Sequence, residues 1–152
     1  MAHPPDVGDS APDFTLPSTQ GEITLSTALR RGAVLLVFYP GDDTPVCTKQ
    51  LCNYRDNLDV FNNLGVQVIA INPQTEESHR TFSDKYSFPF PVVADTTKRV
   101  CTQYGALNFL GMAKRALVLV GSDGKIKWRH TDFPVFHQKA ADVQKAIAGL
   151  IG

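Results

Sequence analysis

Residues 33–52 read AVLLVFYPGDDTPVCTKQLC, an apolar run followed by a short polar loop and two cysteines. The run from Ala33 to Tyr39 is short, uncharged and rich in branched and aromatic residues, which predicts a strand covered on both faces of a sheet. Thr44 is a favoured helix N-cap, and Pro45 suits the first helical position. The stretch therefore predicts a strand, a loop and a helix that carries Cys47 in its first turn.

Strands and helices alternate along the rest of the chain. Residues 66–71 and 116–120 form two more apolar runs, and residues 125–130 alternate as an edge strand does after the turn at residues 121–124. A small hairpin is expected around residues 19–21. Helices are expected at residues 45–64 (ending at Gly65), 75–86, 95–104 and 138–151. This pattern predicts one α/β domain over residues 1–152, with a central mixed sheet flanked by helices and an N-terminal β-hairpin.

Composition excludes several classes of partner. The 152 residues include 15 Lys plus Arg and 15 Asp plus Glu, so the formal net charge is zero and no basic excess indicates nucleic acid or an anionic membrane. Residues 1–5 lack the features of a signal peptide, and no apolar run approaches the roughly 18 residues of a membrane span. We therefore expect a cytoplasmic protein.

Only three cysteines occur in this chain, too few for a disulfide-stapled scaffold. Closely spaced cysteines in a reducing compartment indicate catalysis, redox cycling or metal binding. The four histidines, at positions 3, 79, 130 and 137, have no spacing that joins them to the cysteines, so no zinc site is expected. Cys101, in a short predicted helix, is expected in the core, with a role as a second resolving thiol left open.

The helical phase separates the two neighbouring cysteines. One apolar stripe recurs at spacings of three and four and consists of Cys47, Leu51, Tyr54, Leu58 and Phe61. Cys52 lies about 140° round the helix from Cys47, on the side of Asp56 and Asp59, where we expect an exposed polar face. Residues five apart in a helix have Cα atoms roughly 8.6 Å apart, and a disulfide needs less than about 7 Å. Pairing of these two sulfurs would therefore require part of the helix to unwind.

The position of Cys47 favours its thiolate, because unpaired N–H groups and the positive end of the helix dipole lie there. Full ionisation of an ordinary thiol at neutral pH raises its reactive fraction by roughly thirtyfold, about 2 kcal/mol. A fast reaction also needs groups that stabilise charge developing on the substrate. Thr44 and the backbone N–H groups of Val46 and Cys47 are near in sequence, and a cation is expected from elsewhere in the chain.

These residues resemble a known family. Residues 39–48, YPGDDTPVCT, resemble the Pro-x-x-x-Thr-x-x-Cys signature of peroxiredoxins, and residues 52–57, CNYRDN, are similar to the bacterioferritin-comigratory-protein or peroxiredoxin Q branch. The resemblance runs the length of the chain and includes residues 7–14 and 123–126. It implies a thioredoxin-like fold and reduction of hydrogen peroxide or organic hydroperoxides.

The resemblance also implies roles for individual residues. Cys47 matches the peroxidatic cysteine and Cys52 the resolving cysteine. Pro40 and Thr44 match signature residues that shield the thiolate and contact the peroxide oxygens. Arg115, just before the strand at residues 116–120, matches the active-site arginine. We prefer it to its neighbour Lys114 because a planar guanidinium can bridge a thiolate and a peroxide oxygen.

The implied cycle runs through a sulfenic acid on Cys47 and an intramolecular Cys47–Cys52 disulfide, which a thioredoxin-like dithiol reduces. It requires no metal, flavin or haem, and a monomer is expected because both cysteines lie in one chain. Two other functions fit parts of the sequence. One is protein thiol–disulfide exchange, which the five-residue spacing disfavours, and the other is a redox sensor whose helix melts on oxidation.

Overall fold

The computed structural model describes residues 4–151; the expectations about residues 1–3 and 152, including His3 and the first part of the N-terminal stretch, lie outside the described residues. The strands are β1 Thr15–Ser18, β2 Gly21–Thr24, β3 Ala33–Phe38, β4 Val66–Asn72, β5 Val92–Ala94, β6 Arg115–Val120 and β7 Ile126–Asp132. The α-helices are α1 Leu25–Ala28, α2 Pro45–Asp56, α3 Leu58–Asn63, α4 Glu76–Tyr86, α5 Arg99–Gln103 and α6 Ala140–Ile147. The strands form one sheet in the order β2-β1-β5-β4-β3-β6-β7.

Strand β3 lies in the interior of this sheet, between β4 and β6, and all six of its residues are buried. It pairs in parallel with β4 and antiparallel with β6, so the sheet is mixed. Hairpins close both ends of the sheet, β1–β2 at one and β6–β7 at the other, with β7 as an edge strand. The predicted mixed sheet, N-terminal hairpin and edge strand are confirmed.

The sheet divides the core into two clusters, because successive side chains of a strand point to opposite faces. Leu35, Val37 and Tyr39 join the cluster that also contains residues of α2, α3, α4 and α6. Val34, Leu36 and Phe38 join the cluster that contains residues of α1 and α5. The helix that carries Cys47 therefore packs on the first face, and the buried stripe predicted from its phase, with Leu58 only partly buried, is found there.

The long helix expected at residues 45–64 is interrupted, so that prediction is wrong in its length. Asn57 leaves helical geometry, with φ −120° and ψ 28°, between α2 and α3. Its side-chain Nδ2 and its backbone N–H both donate to the carbonyl of Asn53, at 2.8 and 3.0 Å. An asparagine amide that competes for a helix carbonyl weakens the continuing helix. Gly65, with φ +72°, follows α3 as the predicted terminator.

Two other helices are shorter than the sequence suggests. Helix α5 begins at Arg99 because Asp95 organises the preceding turn: its carboxylate accepts the N–H groups of Val100 and Cys101 at 3.2 and 2.8 Å. Helix α6 spans only Ala140–Ile147. Helix α4 begins one residue later than expected, because Thr75 is its N-cap and accepts the N–H of Ser78 with its Oγ1 at 3.1 Å.

Candidate active site

The chain passes from the end of β3 to α2 through a loop that sets where the helix begins. Thr44 occupies the N-cap position with extended backbone, and Pro45 is the first helical residue, so Cys47 lies in the first turn as predicted. The Thr44 hydroxyl does not cap the helix; it donates to the carbonyl of Gly41 at 3.0 Å. The N–H groups of Val46 and Cys47 have no carbonyl one turn back to bond to, as at any helix start. They remain available to a substrate oxygen or to the sulfur.

Cys47 is fully buried, and its sulfur meets a buried cation. Nη2 of Arg115 lies 3.0 Å from Sγ of Cys47. The guanidinium is held at two other points, because Nη1 donates to Oε1 of Gln50 at 2.7 Å and Nε donates to the carbonyl of Pro134 at 3.0 Å. Arg115 is only 3% exposed, whereas the neighbouring Lys114 is exposed. A positive charge with a fixed orientation therefore faces the sulfur.

Gln50 is a site residue that the sequence did not predict. It lies one turn after Cys47, is buried to 1% exposure, and links two sides of the site. Its Oε1 accepts from Arg115, and its Nε2 lies 3.3 Å from the hydroxyl of Tyr54, which donates to the carbonyl of Gln138 at 2.7 Å. A polar residue three positions after the cysteine, on the same helical face, was the available signal.

Cys52 lies in a different environment on the same helix. It is half-buried and packs against the first core cluster, so the prediction of an exposed polar face is wrong for this residue, although Asp56 and Asp59 are exposed. Burial, together with the nearby Asp56 carboxylate, raises the pKa of the Cys52 thiol, against the opposing charge of Arg55. All three cysteines are free, and α2 is continuous across Cys47 and Cys52. In this state the second thiol is protonated and sits in an intact helix.

The surroundings of Cys52 tie α2 to two other helices. Nη1 of Arg55 donates to the carbonyl of Tyr86 at the end of α4, at 2.6 Å. Oδ1 of Asn53 accepts the N–H of Ala140 at the start of α6, at 2.8 Å. Unwinding of this part of α2 would have to break these contacts.

A cavity of ≈ 840 Å³ adjoins the site. Pro40 and Arg115 form part of its lining, together with Pro134, whose carbonyl holds the guanidinium. Most of the surface that it presents is apolar, and the exposed side chains beside it include Phe109, Leu110, Met112 and Phe133. Pro40 thus lies between the loop that precedes Cys47 and an apolar opening to solvent.

Cys101 lies apart from the other two cysteines. It is fully buried in the second core cluster, on the opposite face of the sheet from Cys47. Burial and the neighbouring Asp95 carboxylate raise the pKa of its thiol. This placement agrees with the predicted core role and gives no support to its use as a second resolving thiol.

Among residues 4–151, no group of three or more His, Cys, Asp or Glu side chains is arranged to hold a metal ion. In the same range, no helix has both the length and the apolar character that crossing a membrane requires.

The chain is similar in sequence and in fold to known proteins. Residues 7–129 match the model of the AhpC/TSA family. The bcp peroxiredoxin of Coxiella burnetii is 41% identical over 102 residues, covering 67% of this chain and 68% of the relative. Peroxiredoxin Bcp of Escherichia coli K12 is 36% identical over 138 residues, covering 86% and 88%. The crystal structure of the peroxidoxin BcpB from Mycobacterium tuberculosis superposes with a TM-score of 0.85 at 28% identity, covering 97% of this chain and 99% of that one.

Proposed function

The chain belongs to the AhpC/TSA family, in its bacterioferritin-comigratory-protein or peroxiredoxin Q branch, and is a thiol-dependent peroxidase; from this premise we propose that Cys47 is the peroxidatic cysteine and Cys52 the resolving cysteine. The observation that carries the proposal is the 3.0 Å contact between Nη2 of Arg115 and Sγ of Cys47. A thiolate paired with a fixed guanidinium at a helix start has the reactivity that attack on a peroxide needs.

In the first step the Cys47 thiolate attacks the nearer peroxide oxygen. A sulfur–oxygen bond forms as the O–O bond breaks, and the departing oxygen leaves as water or an alcohol after taking up a proton. Arg115 stabilises the negative charge that moves from sulfur to the departing oxygen. The Thr44 hydroxyl and the N–H groups of the first turn are close enough in the chain to orient the peroxide, and Pro40 shields the sulfur.

In the second step the Cys52 thiol condenses with the Cys47 sulfenic acid, releases water and forms an intramolecular disulfide. Because α2 is continuous across both residues, its first turns must unwind for the sulfurs to meet. An external dithiol of the thioredoxin type then returns both cysteines to thiols by exchange through a mixed disulfide. Every electron in this cycle passes through sulfur, so the cycle calls for no cofactor.

The apolar cavity beside Arg115 supports organic hydroperoxides as substrates as well as hydrogen peroxide. Hydrogen peroxide is only slightly larger than water, which occupies about 30 Å³ in the liquid, and the cavity measures ≈ 840 Å³. An alkyl group could lie against Phe109, Met112 and Phe133 while its peroxide reaches the guanidinium. We further propose that the protein acts as a monomeric single domain in the cytoplasm, without nucleic acid or membrane as a partner.

Single-turnover mixing of the reduced protein with one equivalent of hydrogen peroxide tests the cycle. The wild type should lose two thiols rapidly, and Cys47→Ser should lose peroxidase activity by at least a thousandfold. Cys52→Ser should consume one peroxide and stop as a sulfenic acid that dimedone traps. Cys101→Ser, which changes a thiol far from the site, is the matched control and should behave as the wild type.

Undiminished multiple turnover by Cys52→Ser with thioredoxin as the reductant would contradict the resolving role. Slow peroxide consumption by the wild type, combined with helix loss on oxidation by disulfides, would favour thiol–disulfide exchange or redox sensing instead.

A further inference from the structure

Asp42 and His79 form a buried pair beside the loop that carries the active-site signature. Asp42 lies five residues before Cys47, and its side chain is 5% exposed. Its Oδ2 is 2.7 Å from Nδ1 of His79, whose side chain is 0% exposed. None of the steps proposed for the cysteines uses this pair, and no local sequence pattern indicates a role for it.

The Asp42 carboxylate connects its loop to the sheet and to α4. It accepts the hydroxyl protons of Tyr39 at 2.5 Å and of Ser78 at 2.6 Å, in addition to the bond with His79. The backbone N–H of Asp42 donates to Oε1 of Gln74 at 2.5 Å. Burial pushes the pKa of Asp42 upward, but the hydrogen bonds and the charge of His79 outweigh it and hold the pKa below its usual value. The carboxylate is therefore ionised and fully engaged at neutral pH.

Packing alone does not explain why a histidine occupies position 79. Its Nε2 is buried and has no hydrogen-bond partner among the described residues. A buried nitrogen without a hydrogen-bond partner destabilises the fold. An apolar residue of similar size at this position would avoid that cost. The imidazole offsets this cost with the hydrogen bond that its Nδ1 donates to the Asp42 carboxylate. A role for that donor is therefore the physical reason for a histidine at this position.

The loop that this pair anchors determines where α2 begins. Asp43, the next residue, has φ +56°, an uncommon conformation for a residue with a side chain. Its carboxylate is held by Nζ of Lys85 at 2.8 Å and by the hydroxyl of Tyr86 at 2.9 Å, again from α4. Two residues after Asp42, Thr44 bonds back to the carbonyl of Gly41. Consecutive aspartates thus fix the loop to α4, one through a buried contact and the other through an exposed one.

We infer that Asp42 and His79 are positioning residues for the peroxidase reaction: by anchoring the loop at residues 40–44 to α4, they hold the first turn of α2 so that the Cys47 sulfur meets the Arg115 guanidinium. This inference rests on the proposed function. Arg115 is held outside α2 by the carbonyl of Pro134 and within α2 by Gln50, one turn beyond Cys47, so a shift confined to the loop and the first turn of α2 would move the sulfur relative to the cation. Displacements of about 1 Å at a reacting centre reduce rates by about a hundredfold.

The test is the second-order rate constant for the reaction of Cys47 with hydrogen peroxide, measured by stopped flow in a Cys52→Ser background at a temperature where each variant is fully folded. His79→Leu and Asp42→Asn should each lower this constant by tenfold to a hundredfold. His79→Asn, whose amide Nδ2 can replace the Nδ1 donor, should recover most of the loss. Alkylation of Cys47 by iodoacetamide, measured at a pH high enough to ionise the thiol fully in every variant, does not require the cation to meet a peroxide and should change by less than threefold.

The matched control is Asp95→Asn. Asp95 is also a fully buried carboxylate that follows a strand, but it organises α5 beside the second core cluster. This variant should lower the thermal midpoint and leave the peroxide rate constant within twofold of the background protein.

Normal peroxide rates in both His79→Leu and Asp42→Asn would overturn the inference, as would an equal loss in Asp95→Asn or a failure of His79→Asn to recover activity. If His79→Leu does not fold, Asp42→Asn and His79→Asn still decide the question. Failure of the proposed function is distinguishable, because the background protein itself would then react slowly with peroxide.

Discussion

Cys47 and Cys52 are five residues apart on one helix, yet different parts of the structure control them. Cys47 is fully buried against the guanidinium of Arg115, the first residue of β6. Cys52 is half-buried, and its raised pKa comes from burial and a neighbouring carboxylate. Under the proposed cycle, the first thiol is the one that attacks the peroxide, whereas the second stays protonated in the intact helix. The reactivity of a cysteine depends on what the fold places beside it, even within two turns of one helix.

The largest effect should come from removing the cation that distinguishes Cys47. Arg115→Ala should lower the second-order rate constant with hydrogen peroxide by about 10²–10³-fold, because charge moving to the departing oxygen loses its stabilising partner. Arg115→Lys should lose less, since it keeps the charge but not the planar fork. Stopped-flow peroxide consumption measures both.

Arg129→Ala is the control, because Arg129 is a partly buried arginine that, like Arg115, donates to the backbone, here to the carbonyls of Pro5 and Tyr104. It should leave the rate constant within twofold. A fully folded Arg115→Ala protein with the wild-type rate constant would contradict the proposal that the guanidinium makes Cys47 more reactive than Cys52.

A moderate effect is expected on the rate at which Cys52 forms the disulfide, and this rate should increase. Arg55→Met removes the bond from Nη1 to the carbonyl of Tyr86, which unwinding of α2 must break. A hydrogen bond from a charged group contributes about 1.5 kcal/mol or slightly more, so disulfide formation after the peroxide step should become roughly tenfold faster. We expect the fluorescence of Trp128, which packs against the first core cluster, to change in two phases, one for sulfenic acid formation and one for disulfide formation.

The peroxide phase should remain unchanged in Arg55→Met. Arg80→Met, which breaks an exposed ion pair with Glu76 on α4, should change neither phase. Equal disulfide rates in Arg55→Met and the wild type would place the unwound segment entirely before Arg55.

The smallest expected effect is on the pH dependence of the stability of the reduced protein. Because the pKa of the Cys52 thiol is raised in the folded protein, folding favours its protonated form. This contribution to stability is complete below the ordinary thiol pKa of about 8.5 and is lost as the pH rises through the higher folded value. In reduced protein, Cys52→Ser should therefore lose less stability than the wild type between neutral pH and pH values above the folded pKa, as measured by urea denaturation. Parallel stability profiles for the two proteins would show that Cys52 is not desolvated.

Local sequence was sufficient to predict the elements around the site. The apolar run, the Thr-Pro pair and the stripe that begins at Cys47 predicted a buried strand, a loop and a helix, because each signal depends on residues within a few positions of one another. The break at Asn57 was missed, since an asparagine within a helical pattern only sometimes competes for a carbonyl. The partial burial of Cys52 was missed because helical phase describes one helix and not what packs beside it.

The sequence by itself determined that a cysteine would occupy the first turn of a helix after a central strand, and that a second cysteine would lie out of bonding range while that helix was intact. Only the tertiary structure decided which side chains surround each sulfur. The Gln50 and Pro134 contacts that orient Arg115, and the Asp42–His79 pair beneath the loop, join residues from 19 to 65 positions apart. Such contacts depend on the order of strands in the sheet and on how helices pack across it, and no local pattern in the chain specifies them.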